Sequence, residues 1–284
     1  MIVFERVAEM RDWVIRQRRL GRSVSFVPTM GALHPGHISL INKARGETDV
    51  VVASVFVNPT QFNNAEDLEK YPRTLQDDMR LLQEAQCDAL FCPSVAEMYP
   101  DGQRIVPVDY GNLTNRFEAA HRPGHFDGVV AIVRKLFYAV PADRAYFGEK
   151  DMQQLRVIQT LVEREEIPIQ IVPCPTMRES SGLAMSSRNV RLSEEGRKKA
   201  SMIFNALKRV ASVTTLEALR EMIPTQIRLL EGATFKVEYL SVVNKTTFEA
   251  SNNVEEHERV VLFAGVLEGV RLIDNLSIAA ARQL

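Results

Sequence analysis

The sequence predicts an α/β protein, with a doubly wound parallel sheet in its N-terminal part and a smaller α+β domain after it. Two observations predict this fold. Short, almost continuous apolar runs rich in β-branched residues recur over the first 175 residues, and such runs are typical of strands buried on both faces of a parallel sheet. Apolar residues at helical spacing separate these runs, and this alternation is the pattern of doubly wound sheets.

Five apolar runs are interpreted as the strands of the sheet. They cover residues 24–27, 49–57, 89–92, 145–147 and 167–172. The first run ends at Pro28 and the second at Asn58, which Pro59 follows. Proline has no N–H to donate to a sheet, so both strands are expected to give way to loops at these points.

Helical patterns lie between the predicted strands. Their apolar stripes cover residues 38–44, 75–85, 129–140 and 155–162. Thr74, with Asp77 three residues later, predicts a capping box at the start of the second of these helices. Together these strands and helices predict a Rossmann-like domain, which we assign to residues 1–180.

The pattern changes near residue 176. A helical stripe begins after Ser193, and a second helix is predicted over residues 215–231. Two strand-like runs, 235–243 and 259–264, follow, with the polar stretch 249–258 between them. Helices followed by strands predict a small α+β domain, which we assign to residues 181–284.

Composition restricts the class of protein. The chain has 284 residues, of which 45% are hydrophobic and 25% charged, as in an average globular protein. Its 35 basic and 36 acidic residues leave a net charge of −1, which argues against coating nucleic acid or anionic membranes. The longest apolar run, 50–57, is far shorter than the roughly 20 residues of a membrane span. Three cysteines without a CxxC pair suit a reducing compartment. We therefore expect a cytoplasmic enzyme with neither nucleic-acid nor membrane partners.

The most informative motif, residues 27–37, follows the first predicted strand and opens a helix. Gly31 permits a tight turn there. His34 and His37 place two imidazoles beside the free N–H groups of a helix start, a combination that favours phosphate. An isolated pair at this spacing is more often a metal pair or two packed core histidines. The order of strand, glycine turn and helix favours the phosphate site.

A second motif, residues 147–154, also follows a predicted strand and is expected at the same edge of the sheet. Gly148 lets a ligand approach the backbone, Lys150 is a compact charge suited to phosphate, and Gln154 offers an amide to a polar substrate. The alternative is a solvated, charged loop before a helix.

A third motif, residues 182–189, lies at the predicted domain boundary. Ser186, Ser187 and Arg188 have the chemistry of a polyphosphate clamp, since arginine forms bidentate bonds and serine supplies short donors. A mobile loop at this position could close over a nucleotide. The alternative is a polar linker.

Two further segments are interpreted as walls of the site. Asn58 and Gln61 follow the second strand and can hold a small polar acid by hydrogen bonds. Asp77 and Asp78 are adjacent carboxylates that could hold Mg²⁺ through water. An acidic first helical turn explains these two residues equally well.

In this order and spacing the motifs resemble the pantothenate synthetase (pantoate–β-alanine ligase) family. The matching segments are PTMGALHPGH, VFVNPTQF, YPRT, RPGHFDGV, FGEKDMQQL and GLAMSSRN. The resemblance is strong over about residues 20–195 and looser elsewhere. HPGH is similar to the HxGH signature of the wider nucleotidyltransferase superfamily. The segment MSSR looks like the counterpart of the superfamily's KMSKS loop, without its lysines.

The resemblance implies a two-step ligation that uses ATP and Mg²⁺. The carboxylate of pantoate attacks the α-phosphate of ATP, which gives pantoyl adenylate and pyrophosphate. The amine of β-alanine then attacks the adenylate, which gives pantothenate and AMP. The resemblance also implies a homodimer through the N-terminal domain and a C-terminal lid.

The resemblance further implies roles for individual residues. His34, His37, Lys150 and Arg188 are the catalytic residues, with His37 as a proton donor, while Gln61 and Gln154 bind pantoate and β-alanine. The implied ATP site comprises Met30, Gly31, Ala32, Leu33, His34, Pro35, Gly36, His37, Gly148, Glu149, Lys150, Asp151, Met177, Met185, Ser186, Ser187 and Arg188. Residues of second rank are Asn58, Tyr71, Arg122 and His125.

Three alternatives remain open at this point. One is a cytidylyl- or adenylyltransferase of the same superfamily, although the amides of Gln61 and Gln154 favour a carboxylate substrate. A class I aminoacyl-tRNA synthetase fits less well, because 284 residues leave little room for binding tRNA. The third is a nucleotide-binding regulator without catalysis. Exchange of pyrophosphate into ATP that depends on pantoate distinguishes all three from the ligase.

Overall fold

The computed structural model describes residues 1–251 and 258–278 and confirms the predicted α/β class. Its N-terminal part holds a parallel sheet with the strand order β1-β4-β3-β2-β5-β6. The strands are β1 (Ile2–Phe4), β2 (Val24–Thr29), β3 (Val50–Val55), β4 (Ala89–Phe91), β5 (Arg144–Gly148) and β6 (Gln170–Cys174). β1 was not predicted, because a three-residue edge strand leaves no measurable periodicity.

The helices of this part cover both faces of the sheet. They are α1 (Val7–Arg19), α2 (Pro35–Glu47), α3 (Ala65–Glu69), α4 (Leu75–Glu84), α5 (Val95–Met98), α6 (Asn112–Asn115), α7 (Glu118–His121), α8 (His125–Ala139) and α9 (Met152–Arg164). The capping box predicted at the start of α4 is wrong. The Thr74 hydroxyl makes no cap bond to the backbone and donates instead to Asp78 Oδ1 at 3.3 Å.

The strand order reverses between β2 and β5, which pair in parallel with Phe26 opposite Ala145. β3 and β4 lie on one side of this point, and β6 lies on the other. In open α/β sheets, ligands bind outside the carboxyl ends of the strands at such a reversal. The loops after β2 and β5, which carry the first two motifs, therefore meet where this fold is expected to bind a ligand.

Successive residues of β2 enter different hydrophobic clusters, as expected for a strand buried on both faces. Phe26 belongs to a cluster with Val129 of α8, and Val27 to a cluster with Ile41 of α2. The cluster that contains Phe26 also includes Val260 of the C-terminal sheet. The C-terminal part is therefore packed directly against the Rossmann-like part.

The described residues of the C-terminal part form helices and an antiparallel sheet in the order β7-β8-β9. The elements are α10 (Glu194–Ala200), α11 (Met202–Ala211), α12 (Leu216–Gly232), β7 (Lys236–Asn244), β8 (Arg259–Leu267) and β9 (Val270–Ile278). The single helix predicted after Ser193 is divided between α10 and α11 at Ser201, whose hydroxyl donates to the Lys198 carbonyl at 2.7 Å. Part of the predicted polar stretch 249–258 lies outside the described residues.

This part also has a hydrophobic core of its own, in which Leu207 of α11 and Leu230 of α12 cluster with Phe263 of β8. The division of the chain at residues 180 and 181 stays a prediction. Within residues 1–251 and 258–278, no helix has both the length and the hydropathy needed to cross a membrane.

Candidate active site

The loop between β2 and α2 is held in place by a carboxylate from α4. Gly31 has a φ of +80°, and a Cβ there would lie 2.9 Å from Asp78 Oδ2, so the loop requires glycine. Asp78 Oδ2 accepts the N–H of Ala32 at 3.0 Å, and Oδ1 accepts the N–H of Leu33 at 2.7 Å. These two N–H groups are therefore already bonded and are not open to a phosphate.

The same contacts give Asp78 a structural role, since it is 1% exposed and each of its oxygens accepts a backbone N–H. The water-mediated metal role of Asp77 and Asp78 stays a prediction. Asp77 is exposed in the first turn of α4 and does not line the cleft described below. The described residues contain no group of three or more His, Cys, Asp or Glu side chains that could hold a metal ion.

The first turn of α2 is capped by the rings of two histidines, each of which accepts a backbone N–H. The Gly36 N–H donates to His34 Nδ1 at 3.1 Å, and the His34 N–H donates to His37 Nδ1 at 3.3 Å. The two rings lie 4.1 Å apart between centroids. A Cβ on Gly36 would be 2.8 Å from His34 Cε1, so glycine is needed at this position as well. The motif thus builds its own rigid helix start.

This cap determines the charge and the tautomer of both rings. Burial lowers the pKa of His34 to about 4, with a further contribution from the charge of Lys150. Burial also lowers the pKa of His37 to about 3, assisted by His34 and Lys150. Both rings are therefore neutral at pH 7. Because each Nδ1 accepts an N–H, the ring proton lies on Nε2, and each ring offers one N–H donor.

The turn after β5 brings Lys150 close to the two histidines. Residues Glu149–Asp151 form a 3-10 turn, and Lys150 Nζ lies 3.6 Å from Asp151 Oδ2. Asn275 of β9 fixes the turn, since its side-chain amide donates to the carbonyls of Glu149 at 2.8 Å and Lys150 at 2.9 Å. The C-terminal sheet therefore positions the turn that carries Lys150, a residue predicted to bind phosphate.

The segment before α10 folds back beside the same site. The Met185 N–H donates to the Met177 carbonyl at 2.9 Å, and Ser186 Oγ accepts the N–H of Arg188 at 3.2 Å. The hydroxyls of Ser187 and Tyr71 lie 3.2 Å apart. These bonds hold the segment in an ordered turn.

Arg188 is paired with an acidic residue that the sequence analysis missed. Its Nη2 donates to Asp67 Oδ2 at 2.8 Å and its Nε to Asp67 Oδ1 at 3.4 Å. Arg191 adds a bond from Nη1 to Asp67 Oδ1 at 2.9 Å. Asp67 belongs to no motif and its partners lie more than a hundred residues later, so no local pattern could have identified it.

The amide of Gln61 faces the loop after β2. Asn58 Nδ2 donates to Gln61 Oε1 at 3.0 Å, and Gln61 Nε2 donates to Met30 Sδ at 3.3 Å. Asn58 is itself oriented by Tyr99, whose hydroxyl donates to Asn58 Oδ1 at 2.7 Å. Gln154 of α9 and Gln61 line one cleft, which is described next. The two amides predicted to bind substrate therefore lie in one site.

The loops after β2 and β5 and the turn at 185–188 enclose a cleft of about 220 Å³. The predicted residues that line it are Met30, His34, Gly36, His37, Gln61, Gly148, Lys150, Asp151, Gln154, Met177, Met185, Ser186, Ser187 and Arg188. Asn58 and Tyr71 line it too, whereas Arg122 and His125 do not. A charged groove of about 450 Å³ adjoins the cleft and shares Lys150, Asp151, Ser186 and Arg188 with it.

Some residues predicted for the ATP site do not reach the cleft. They are Gly31, Ala32, Leu33, Pro35 and Glu149. The first three form the loop that Asp78 holds, and Pro35 has no N–H to offer. The Glu149 carboxylate lies 3.5 Å from Lys245 Nζ. Motif membership alone could not separate the lining residues from those that support the loops.

Comparisons with known proteins agree with one another. A sequence model of the Pantoate-beta-alanine ligase family matches residues 2–277. The pantothenate synthetase of Cytophaga hutchinsonii is 46% identical, over 98% of this chain and 99% of that protein. The pantothenate synthetase of Pseudomonas fluorescens is 47% identical, over 95% of each chain.

Solved structures extend this similarity to the fold. The crystal structure of pantothenate synthetase from Thermus thermophilus has a TM-score of 0.90 and 44% identity, over 98% of this chain and all of that one. The pantoate-β-alanine ligase of Francisella tularensis, solved with Beta-gamma ATP and β-alanine, has a TM-score of 0.84 and 36% identity. That match covers 98% of this chain and 97% of the other.

Proposed function

This chain belongs to the pantoate-β-alanine ligase family, and we propose that its cleft joins pantoate to β-alanine through a pantoyl adenylate made from ATP. One observation carries the proposal. The neutral pair His34 and His37, beside Lys150, shares a single cleft with the amides of Gln61 and Gln154. A carboxylate can be adenylated only where phosphate donors and carboxylate-binding groups meet, and this cleft supplies both.

In the first step a pantoate oxygen bonds to the α-phosphorus, and the bond from that phosphorus to the bridging oxygen of pyrophosphate breaks. Negative charge builds on the phosphate oxygens as this happens. The Nε2–H groups of His34 and His37 would donate to those oxygens, while Lys150 and Arg188 would neutralise the departing pyrophosphate. With a pKa of about 3 in the free protein, His37 is neutral before ATP binds, and its Nε2–H would serve as a hydrogen-bond donor. The proton-donor role that the resemblance implies stays a prediction.

In the second step the free amine of β-alanine attacks the acyl carbon of the adenylate. The C–N bond forms, the C–O bond to AMP breaks, and the amine loses its proton to solvent or to the departing phosphate. Gln61 and Gln154 would hold the pantoyl group in place. Holding amine and anhydride together can be worth an effective molarity of about 10⁵ M or more, and enclosure protects the adenylate from water.

Mg²⁺ is proposed to enter with ATP on the phosphate oxygens. This ion keeps several of its waters and needs few protein ligands. Water-mediated contacts of Asp77 and Asp78 with the ion stay part of this proposal. When bound, the ion supplies positive charge to the triphosphate.

Three further features belong to the same proposal. Residues 181–284 would act as a lid on residues 1–180, which the contacts of Asn275 with the Lys150 turn support. The protein would be cytoplasmic and would pair with a second copy through its N-terminal domain. Exposed Ile2 and Val3 on the edge strand β1 are compatible with such pairing. A monomer by light scattering at working concentration would contradict the dimer.

The test is exchange of labelled pyrophosphate into ATP, run with pantoate, with amino acids, with phosphate esters and with no acid. We expect exchange with pantoate alone, and formation of pantothenate and AMP once β-alanine is added. Exchange with another acid, or nucleotide transfer to a phosphate ester, would replace this function with that of a different adenylating enzyme or of a nucleotidyltransferase.

A further inference from the structure

A chain of polar contacts, whose members Glu118 and His125 are buried, runs from the C-terminal sheet to the backbone of Gln61. It begins at Arg271 on β9, passes through Glu118 on α7, and continues through Arg122 and His125. Its intermediate members do not line the cleft itself, although Arg122 and Arg271 line the charged groove that adjoins it. The chain therefore connects the C-terminal sheet to the backbone of a residue that lines the cleft.

Glu118 is the junction of this chain. It is 7% exposed, and both of its oxygens accept from Arg271, at 2.7 and 2.8 Å. The hydroxyl of Tyr239 on β7 adds a bond of 2.6 Å. Burial alone would raise the pKa of Glu118, but the hydrogen bonds and charge of Arg271 lower it to about 2. The carboxylate is thus ionised and held by two strands of the C-terminal sheet.

Glu118 in turn holds Arg122, whose Nη1 lies 3.5 Å from Glu118 Oε2 and 3.0 Å from His125 Nε2. An arginine can only donate, so His125 Nε2 accepts and the ring proton lies on Nδ1. His125 Nδ1 then donates to the Gln61 carbonyl at 2.8 Å. The position of Arg122 therefore selects the histidine tautomer that can bond to the backbone of Gln61.

We propose that Arg271 and Glu118 are positioning residues for the pantoate subsite, acting on Gln61 through Arg122 and His125. The inference rests on the proposed function, since it takes Gln61 to bind pantoate. Gln61 ends the 3-10 turn Pro59–Gln61, and the bond from His125 fixes the carbonyl of its last residue. Docking of the C-terminal sheet would then set the affinity for pantoate, while the phosphate site at His34 and Lys150 lies outside the chain of contacts.

The central variant is Arg271→Met, with Arg271→Lys as its conservative partner. Without the guanidinium, Glu118 is free to draw Arg122 towards itself and away from His125. Losing the hydrogen bond between Arg122 and His125 in this way corresponds to a rise of about fivefold to tenfold in the dissociation constant of pantoate. The KM for ATP should stay within about twofold, and Arg271→Lys should recover part of the affinity for pantoate.

A matched control is Arg134→Met. Arg134 lies on α8, the helix that begins at His125, and pairs through Nε and Nη2 with the carboxylate of Glu165. It is more exposed than Arg271 and has no bond to the chain of contacts. The control should leave the affinity for pantoate unchanged. If Arg271→Met raises the KM for ATP as much as it weakens pantoate binding, or if the control behaves in the same way, the proposal is overturned.

Two measurements separate this inference from the proposed function. Gln61→Ala should weaken pantoate binding by itself, and adding Arg271→Met should cause little further loss, because both changes act on one element. If Gln61→Ala leaves pantoate binding unchanged, the substrate assignment fails. If the losses of pantoate affinity in Gln61→Ala and Arg271→Met multiply in the double variant, the two residues act independently and the proposed positioning role of Arg271 is overturned.

The imidazole ¹⁵N shifts of His125 give a readout that needs no substrate. The wild-type protein should show a protonated Nδ1, and Arg271→Met should shift the signal towards a mixture of tautomers. An unchanged His125 signal in a folded Arg271→Met protein would overturn the proposal even if pantoate binding changed.

Discussion

The two halves of the cleft are built in different ways. The half that we propose to bind phosphate, the phosphate half, centres on His34 and His37, which cap the helix that carries them. Lys150 and Arg188 join this half from other loops. The proposed acid half depends on Gln61, whose side chain and backbone are held by Asn58, by His125 and, through further contacts, by Arg271. The histidine pair is therefore held locally, whereas Gln61 is held by distant elements.

This difference predicts that substitutions in the two halves should affect different properties of the protein. A change in the phosphate half should act on the chemistry directly, because the capping rings are also the proposed donors to phosphate. A change behind the acid half should move Gln61 and weaken substrate binding while the phosphate donors stay in place. The two halves should therefore be separable by substitutions that leave the fold intact.

The largest effect is expected from His34→Asn compared with His34→Ala. Asparagine is a favourable N-cap residue, so His34→Asn should keep the helix start, while alanine should cost about 1 kcal/mol of stability. Both variants lose the Nε2–H donor, and loss of one such donor lowers rates by about a hundredfold or more. Pantoate-dependent exchange of pyrophosphate and thermal unfolding are the measurements. Wild-type exchange in the His34→Asn protein would show that the ring only caps the helix.

Gly128→Ala should displace Gln61 in the acid half, because Gly128 of α8 packs against the turn that carries Gln61. A Cβ on Gly128 would lie 2.3 Å from the Thr60 carbonyl oxygen and 2.8 Å from Gln61 Cα, so α8 and the turn must separate. Overpacking of this kind costs about 1–3 kcal/mol, and the displaced Gln61 should raise the KM for pantoate about tenfold. The measurements are the KM values of the three substrates and the free energy of unfolding.

Gly46→Ala is the control for this change, since Gly46 lies in α2 and a Cβ added there would meet no atom within 4 Å. It should leave activity unchanged and stabilise the protein by about 0.5–1 kcal/mol. An unchanged KM for pantoate in Gly128→Ala would mean that the cleft does not depend on the position of this turn.

The same contrast explains how much the sequence could predict. β2, β3 and β5 are continuous apolar runs, and the histidine motif follows one of them directly, so both the strands and the phosphate half could be predicted. β9 was missed because Arg271, Asp274 and Asn275 interrupt its apolar pattern. These polar residues form buried contacts with other segments, namely Arg271 with Glu118, Asp274 with Arg178, and Asn275 with the turn of Lys150.

Gln61 could be predicted only in part. Its residue type and its place after a strand indicated a candidate site residue, but the groups behind its backbone carbonyl lie far away in the sequence. His125 is 64 residues away, and Arg271, which acts through Glu118, is farther still. Asp78 shows another limit, since nothing in its acidic pair indicated that its carboxylate also binds the loop after β2. Local patterns indicate what a side chain can bind but not which partner the fold supplies.

The smallest expected effect is on the pH dependence of stability, and it comes from His34 in the phosphate half. The pKa of His34 is about 4 in the folded protein, against about 6.5 for an unperturbed histidine. Between these values the unfolded chain holds a proton that the folded chain does not. Stability from the neutral ring is therefore fully present above about pH 6.5 and is lost as the pH falls towards 4.

His34→Asn should remove the proton that the unfolded wild-type chain binds at His34 and the folded chain does not. Its free energy of unfolding should fall less steeply than that of the wild type between about pH 6 and pH 4.5, with a difference in slope approaching about 1.4 kcal/mol per pH unit. Denaturant titrations at several pH values measure this slope. Gly128→Ala, which alters the acid half, should keep the wild-type slope despite its lower stability. Identical slopes for His34→Asn and the wild type would mean that His34 titrates normally, and the neutral donor pair would then lose its basis.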